Sequence, residues 1–85
     1  MEEIEKTVRA YIVDNFLFGN EEAAPASSEA SFLEMKLIDS TGVLELVVFL
    51  ENEYGITIED TELIPENLDS LRKIAIFVAN KTGRG

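Results

Sequence analysis

Apolar side chains recur at helical spacing in three segments of the 85-residue chain. In the first segment, isoleucine, valine and aromatic residues return every three or four positions between residues 4 and 18. Three glutamates stand at its start, and acids in a first turn suit the positive end of a helix dipole. Gly19-Asn20 follows as a stop signal. The pattern predicts a helix over about residues 2 to 18, with this stripe packed inward.

The second segment runs from Asp39-Ser40 to Tyr54, and Gly55 ends it. Aspartate and serine are favoured at helix starts because their side-chain oxygens accept hydrogen bonds from the unpaired N–H groups of the first turn. At about 100° per residue, one sector of this helix collects five apolar or aromatic side chains. These are the residues expected to face the core: Val43, Leu46, Val47, Leu50 and Tyr54.

A second apolar spot lies outside that sector. Leu44 and Val48 are four residues apart and therefore adjacent on the helix surface. Glu45 and Glu51 also lie outside the core sector and edge this spot with negative charge. We expect an exposed apolar patch between carboxylates, a composition suited to docking.

The third segment begins at Asp69-Ser70, continues through an apolar stripe and ends before Gly83. The stripe consists of Leu71, Ile74, Phe77 and Val78. Between the second and third segments, Ile56 and Ile58 predict an extended connector that buries both side chains. A short helical turn is expected next, capped by Asp60 or Thr61. Leu63 and Ile64 should pack inward from it, and Pro65-Glu66-Asn67 should break it.

Residues 20 to 31 are polar or small and lack a period, so they predict a long surface connection with at most one short turn. Phe32, Leu33, Leu37 and Ile38 should bring this loop back to the core. The predicted fold is all-α: a small four-helix bundle with three main helices, one short helix and a long loop between helices I and II. Residues 1–85 are expected to form a single domain.

The amino-acid composition limits the kinds of catalysis that this chain could carry out. The chain has no cysteine or histidine, so it cannot assemble Ser-His or Cys-His catalysis. An enzyme would have to use carboxylate, lysine or tyrosine chemistry. No two carboxylates in the sequence have a spacing that indicates an active-site cleft. The cluster at residues 59–62 lacks the spacing and glycine of a calcium loop. No catalytic residue and no metal site are therefore predicted.

Seventeen acids against seven bases give a formal charge of −10. Such a field repels nucleic acid and anionic membranes and favours basic protein surfaces. Apolar runs such as residues 46–50 are too short to span a membrane. The acidic N-terminus is unlike a signal peptide. We expect a soluble, cytoplasmic monomer with protein partners, no nucleic acid and no membrane.

Ser40 stands out in this setting. A hydroxyl at the positive end of a helix dipole is a favourable place for a phosphodiester. The residues from Ile38 to Ile56 resemble the central signature of acyl carrier proteins. In that family Asp-Ser-Leu precedes a helix carrying Glu-Leu-Val and Leu-Glu-Glu-x-Phe, and Ile and Asp follow in the next loop. The later places are taken here by Ile58, Asp60 and Glu62, and the resemblance covers roughly residues 32 to 81.

The resemblance implies that Ser40, preceded by Asp39, receives 4′-phosphopantetheine from coenzyme A through a phosphopantetheinyl transferase. The thiol of the arm would hold acyl or aminoacyl groups as thioesters. The partner-facing residues would be Leu44, Glu45, Val48 and Glu51, which would meet basic patches on acyl-loading and acyl-using enzymes.

Three positions depart from the family pattern. Thr41 stands where leucine is usual, and Gly42 and Asn52 stand where acids are common. These departures indicate a dedicated pathway rather than housekeeping fatty-acid synthesis. Asp69-Ser70-Leu71 matches the family's Asp-Ser-Leu tripeptide more closely than Asp39-Ser40-Thr41 does. However, only 15 residues follow Ser70, which are too few for the remaining helices. The alternative function is an unmodified acidic helical module that docks basic partners through helix II.

Overall fold

A computed structural model describes residues 2–25 and 27–83, with the backbone alone at Ser40. These residues form four α-helices and no β-strand: α1 Glu2–Phe16, α2 Ser40–Tyr54, α3 Pro65–Leu68 and α4 Leu71–Thr82. Two 3₁₀ turns lie at Glu21–Ala23 and Asp60–Glu62. The predicted all-α bundle of three main helices and one short one is confirmed, as is the long connection between α1 and α2.

The apolar stripe of α1 is buried as predicted, through Ile4, Val8, Ile12 and Val13. The helix ends at Phe16, two residues earlier than its pattern indicated. Phe18 and Gly19 then take positive φ angles of 54° and 83°, which turn the chain out of the helix. Phe18 does not join the stripe, because this turn directs its side chain into solvent.

The core face of α2 also follows the helical period. Leu46, Val47 and Leu50 are buried, and Val43 and Tyr54 are half-buried at its edges. Gly55 ends the helix at a φ of 63°, and its N–H donates to the carbonyl of Glu51. A left-handed residue at this place is the usual reason for a glycine after a helix.

The connector between α2 and α3 differs from its prediction in several details. Ile58 is buried, whereas Ile56 is only half-buried. The 3₁₀ turn is capped by Glu59 rather than by Asp60 or Thr61. The carboxylate of Glu62 accepts from the N–H of Glu59 at 2.9 Å, a reach-back that satisfies an orphan donor at the turn's start.

Pro65 begins α3 instead of breaking a turn. The first position of a helix needs no N–H donor and suits the fixed φ of proline. Ile64 becomes the residue before the helix and is 41% exposed, so its predicted inward packing is wrong. Leu63 is half-buried, and Leu68 supplies the buried contact of this short helix.

The long loop is fastened to the corner between α3 and α4 by Asp69. One carboxylate oxygen accepts from the N–H of Leu33 at 2.9 Å, and the other accepts from the hydroxyl of Ser31. The carbonyl of Asp69 accepts from the N–H of Phe32 at 2.7 Å. These bonds hold the loop where Phe32 enters the core. Within the described ranges, none of the helices is long and apolar enough to cross a membrane.

Candidate attachment site and docking face

The first turn of α2 is built around Asp39. Its backbone is extended, and its carboxylate accepts from the N–H of Gly42 at 2.7 Å. Its carbonyl accepts from the N–H of Val43 at 2.9 Å. Asp39 is therefore the helix cap that its residue type predicted. Ser40 is the first residue of the helix, and its side chain lies outside the described part of the structure.

Burial alternates sharply around that serine. Asp39 and Thr41, its immediate neighbours, are both exposed. Ile38 and Gly42, one residue further on either side, are both buried. Ser40 thus begins the helix at a corner whose nearest residues on both sides are exposed and whose next residues are buried. The dipole of a 15-residue helix makes this corner favourable for an anion.

Gly42 lets the end of α1 lie against the start of α2. A Cβ atom added there would be 2.9 Å from Cε1 of Phe16 and 3.0 Å from Cγ2 of Ile38. Carbon atoms in favourable contact are about 3.5–4.0 Å apart, so no larger residue fits without movement. The departure of Gly42 from the family pattern therefore has a packing cause in this chain.

The predicted apolar spot on α2 is exposed, as expected. Leu44 is 57% exposed, Val48 is 55% exposed, and Glu45 also faces solvent. These residues border a shallow groove between α1 and α2 whose floor includes Tyr11 and Phe49. The two rings are stacked, with centroids 4.1 Å apart and planes 16° apart, so the floor is rigid.

The charge on this face is uniformly negative. Residues 37–71 contain no lysine or arginine. Burial raises the pKa of the Tyr11 hydroxyl above its usual range, and the negative charge of Glu45 raises that pKa further. The negative charge of Glu45 therefore acts on the groove, where Tyr11 lies, as well as on the exposed surface. Such a surface favours partners that bring lysine or arginine to its edge.

Glu51 differs from the other predicted docking residues. It is half-buried, and its carboxylate accepts from the N–H of Ile58 at 2.9 Å. The carboxylate thus holds the connector after Gly55 against α2. Sequence reasoning placed Glu51 outside the core sector but gave no signal of this bond, because the partner lies in irregular backbone seven residues away.

An apolar cavity of about 110 Å³ opens between the long loop, the first turn of α2 and α3. Its lining includes Ile38 and Val43, which stand on either side of Ser40 in the sequence. A cavity of roughly 150 Å³ lined by apolar side chains is enough to bind benzene. At about 110 Å³ the space beside the α2 start is smaller than such a cavity and is open to solvent on one side.

The competing Asp-Ser pair has a structural role. Ser70 is 2% exposed, and its hydroxyl oxygen accepts from the N–H of Lys73 at 3.1 Å as the cap of α4. Asp69 holds the long loop. The Ser70 side chain is buried, whereas the residues on either side of Ser40 are exposed.

Comparison with known proteins identifies the family. No family model matches the chain. An acyl carrier protein of Thermosynechococcus vestitus is 35% identical over 79 residues, which are 93% of this chain and 91% of the relative. This chain belongs to the acyl carrier protein family. Acyl carrier proteins from two strains of Nitratidesulfovibrio vulgaris are each 31% identical over 78 residues, covering 92% of this chain and 96% of the relative.

The resemblance read from the residues around Ser40 is thereby confirmed at the level of the family. Acyl carrier proteins are carriers and not enzymes, in agreement with the expected lack of catalytic residues. Among the described residues there is also no group of three or more acidic side chains placed to hold a metal ion. The features that sequence reasoning missed are the Glu51–Ile58 bond, the Asp69 fastening and the packing role of Gly42.

Proposed function

We propose that residues 1–85 form one acyl carrier domain in which Ser40 bears 4′-phosphopantetheine. The observation that carries this proposal is the contrast between the two Asp-Ser pairs. Ser40 begins a long helix, and the residues on either side of it are exposed. Ser70 is buried and its hydroxyl is used as a cap.

The attachment chemistry fits the residues present. The Ser40 hydroxyl oxygen would attack phosphorus in the diphosphate of coenzyme A, and adenosine 3′,5′-bisphosphate would leave. The serine proton would pass to a base of the transferase. This chain contributes the cap at Asp39, which orders the first turn, and the helix dipole, which favours the phosphodiester. The chain has no cysteine, and the bound arm supplies the thiol that forms thioesters with acyl groups.

The docking face is α2, with Leu44 and Val48 as apolar contacts and Glu45 as the steering charge. Glu51 adds to the negative field, but its bond to Ile58 also gives it a structural role. The partners are the phosphopantetheinyl transferase and the acyl-loading and acyl-using enzymes, each with a basic patch. We place the protein in the cytoplasm as a monomer, and the departures at Thr41, Gly42 and Asn52 favour a dedicated pathway.

Intact-mass measurement after co-expression with a broad-specificity transferase tests the attachment. The parent should gain one phosphopantetheinyl group, and Ser40→Ala should gain none while melting at the same temperature. Ser70→Ala is the matched control: it should still be modified and should lose about 1 kcal/mol of stability as a cap is removed. Phosphopantetheine on Ser40→Ala would overturn the assignment. A parent that stays unmodified would favour an acidic interaction module.

The docking face is tested by pairing melting with the rate of modification. Leu44→Gln, Val48→Gln and Glu45→Lys change exposed side chains, so stability should move by no more than roughly 0.5 kcal/mol. Each should slow modification, and the effect of Glu45→Lys should shrink with added salt because exposed charges steer encounter. Variants that load at the parental rate would remove this face from the docking surface.

A further inference from the structure

The turn after α1 exposes an aromatic side chain that folding does not require. Phe18 is 94% exposed, the largest exposure among the bulky apolar residues that the structure describes. Its φ of 54° is in the left-handed region, which is unfavourable for a bulky side chain and natural for glycine. Neither burial nor backbone preference therefore selects phenylalanine at this position.

The aromatic ring is nonetheless presented from ordered backbone. The N–H of Gly19 donates to the carbonyl of Val13 at 2.8 Å, and the N–H of Asn20 donates to the carbonyl of Leu17 at 2.9 Å. These bonds close the end of α1 on both sides of Phe18. A side chain carried on a closed turn loses less freedom on binding than one carried on a loose segment.

Phe18 belongs to the same end of the molecule as Ser40. Phe16, two residues earlier, reaches within 2.9 Å of the place that a Cβ of Gly42 would occupy. Gly42 is itself two residues after Ser40 in the first turn of α2. The end of α1 therefore lies next to the helix turn that carries Ser40, within reach of an enzyme that modifies this serine.

The charge around Phe18 defines its partner. Asp14, Glu21 and Glu22 are exposed on either side of it in the sequence. No lysine or arginine occurs from residue 10 to residue 35. The complementary surface is an apolar pocket edged by basic side chains. Exposed aromatic anchors of this kind contribute much of the affinity where they enter a pocket.

We propose that Phe18 is a second docking point, which enters a base-edged apolar pocket on the phosphopantetheinyl transferase that modifies Ser40. This inference rests on the proposed function, since it needs an enzyme at Ser40. It extends the docking surface from α2 to the end of α1. It also accounts for a large aromatic residue in a conformation that glycine would adopt without cost.

The test compares steady-state modification of Phe18→Ala, Phe18→Leu and Phe18→Gly, with coenzyme A saturating and transfer followed by intact mass. Phe18→Ala should raise the KM for the carrier at least about fivefold with kcat unchanged. Phe18→Leu has a similar backbone preference and should recover part of the loss. Phe18→Gly should melt no lower than the parent and still load poorly. Ile76→Ala, which alters an exposed residue on α4, should load normally.

The outcomes are distinct. A KM for Phe18→Ala equal to that of the parent would overturn the docking role. A Phe18→Ala loss that appears in kcat and not in KM would also overturn it, because the side chain would then not act in docking. A parent that the transferase never modifies would refute the carrier assignment itself, whatever the Phe18 variants do.

Discussion

Replacing Gly42 by alanine sets two opposing effects against each other in the first turn of α2. Alanine favours a helix over glycine by about 0.8–1.0 kcal/mol. The new Cβ, however, would lie 2.9 Å from Phe16 Cε1, 3.0 Å from Ile38 Cγ2 and 3.2 Å from Asp39 Oδ1. Crowding of this kind costs about 1–3 kcal/mol in packed sites.

The neighbours decide the sign of the net effect. The ring of Phe16 is half-buried, whereas Ile38 is buried and branched at Cβ. Asp39 is fixed by the cap bond to Gly42 itself. With two of three contacts held, we expect crowding in the upper part of that range, about 2–3 kcal/mol, so Gly42→Ala should lose about 1–2 kcal/mol net despite its better helix propensity. Each kcal/mol should lower Tm by roughly 4–8 °C in a domain of this size.

Thermal and urea unfolding of a double-mutant cycle measure this effect. Phe16→Ala removes the closest contact, so Gly42→Ala should cost less in that background, with a coupling energy of about 0.5–3 kcal/mol. Thr41→Ala is the control, because the adjacent side chain is exposed and its loss should change stability by no more than about 0.5 kcal/mol. A Gly42→Ala protein as stable as the parent would refute the close approach of α1 and α2.

Three further outcomes are expected. Leu50→Ala should cost about 2–5 kcal/mol in urea unfolding because Leu50 is fully buried, and a loss below 1 kcal/mol would contradict the core assignment. Asp69→Ala should cost about 1–3 kcal/mol and speed hydrogen exchange at the amide of Leu33, whose acceptor is removed; unchanged exchange would argue against the loop fastening. The Lys81 ammonium, 2.6 Å from the Glu62 carboxylate, and the Glu59 N–H lower the pKa of Glu62 below its usual range. The bond between Lys81 and Glu62 is therefore present above the ordinary pKa of Glu62, near 4.5, and is lost as pH falls through the lower folded-state pKa. Glu62→Gln should therefore have a lower free energy of unfolding than the parent at pH 7. The two values should converge in acid.

Much of the bundle follows from short-range rules that the sequence displays directly. The cap at Asp39, the cap at Ser70 and the left-handed stop at Gly55 each depend on a few adjacent residues. The inward face of α2 depends only on helical period, which is why Leu46 and Leu50 are buried where predicted. The exposure of Leu44 and Val48 follows from the same rule, and the helix start at Ser40 follows from the cap at Asp39.

Tertiary structure decided the features that join distant segments. The role of Gly42 depends on Phe16, which belongs to another helix. Glu51 has a structural role because the folded connector brings the N–H of Ile58 within hydrogen-bond distance of its carboxylate. Asp69 binds residues that lie 36 and 38 positions earlier in the chain. The exposure of Phe18 follows from the end of α1 at Phe16, two residues earlier than the helical pattern indicated. Periodicity and propensity describe one segment at a time, whereas these contacts depend on which backbone donors and side chains the folded bundle brings within reach.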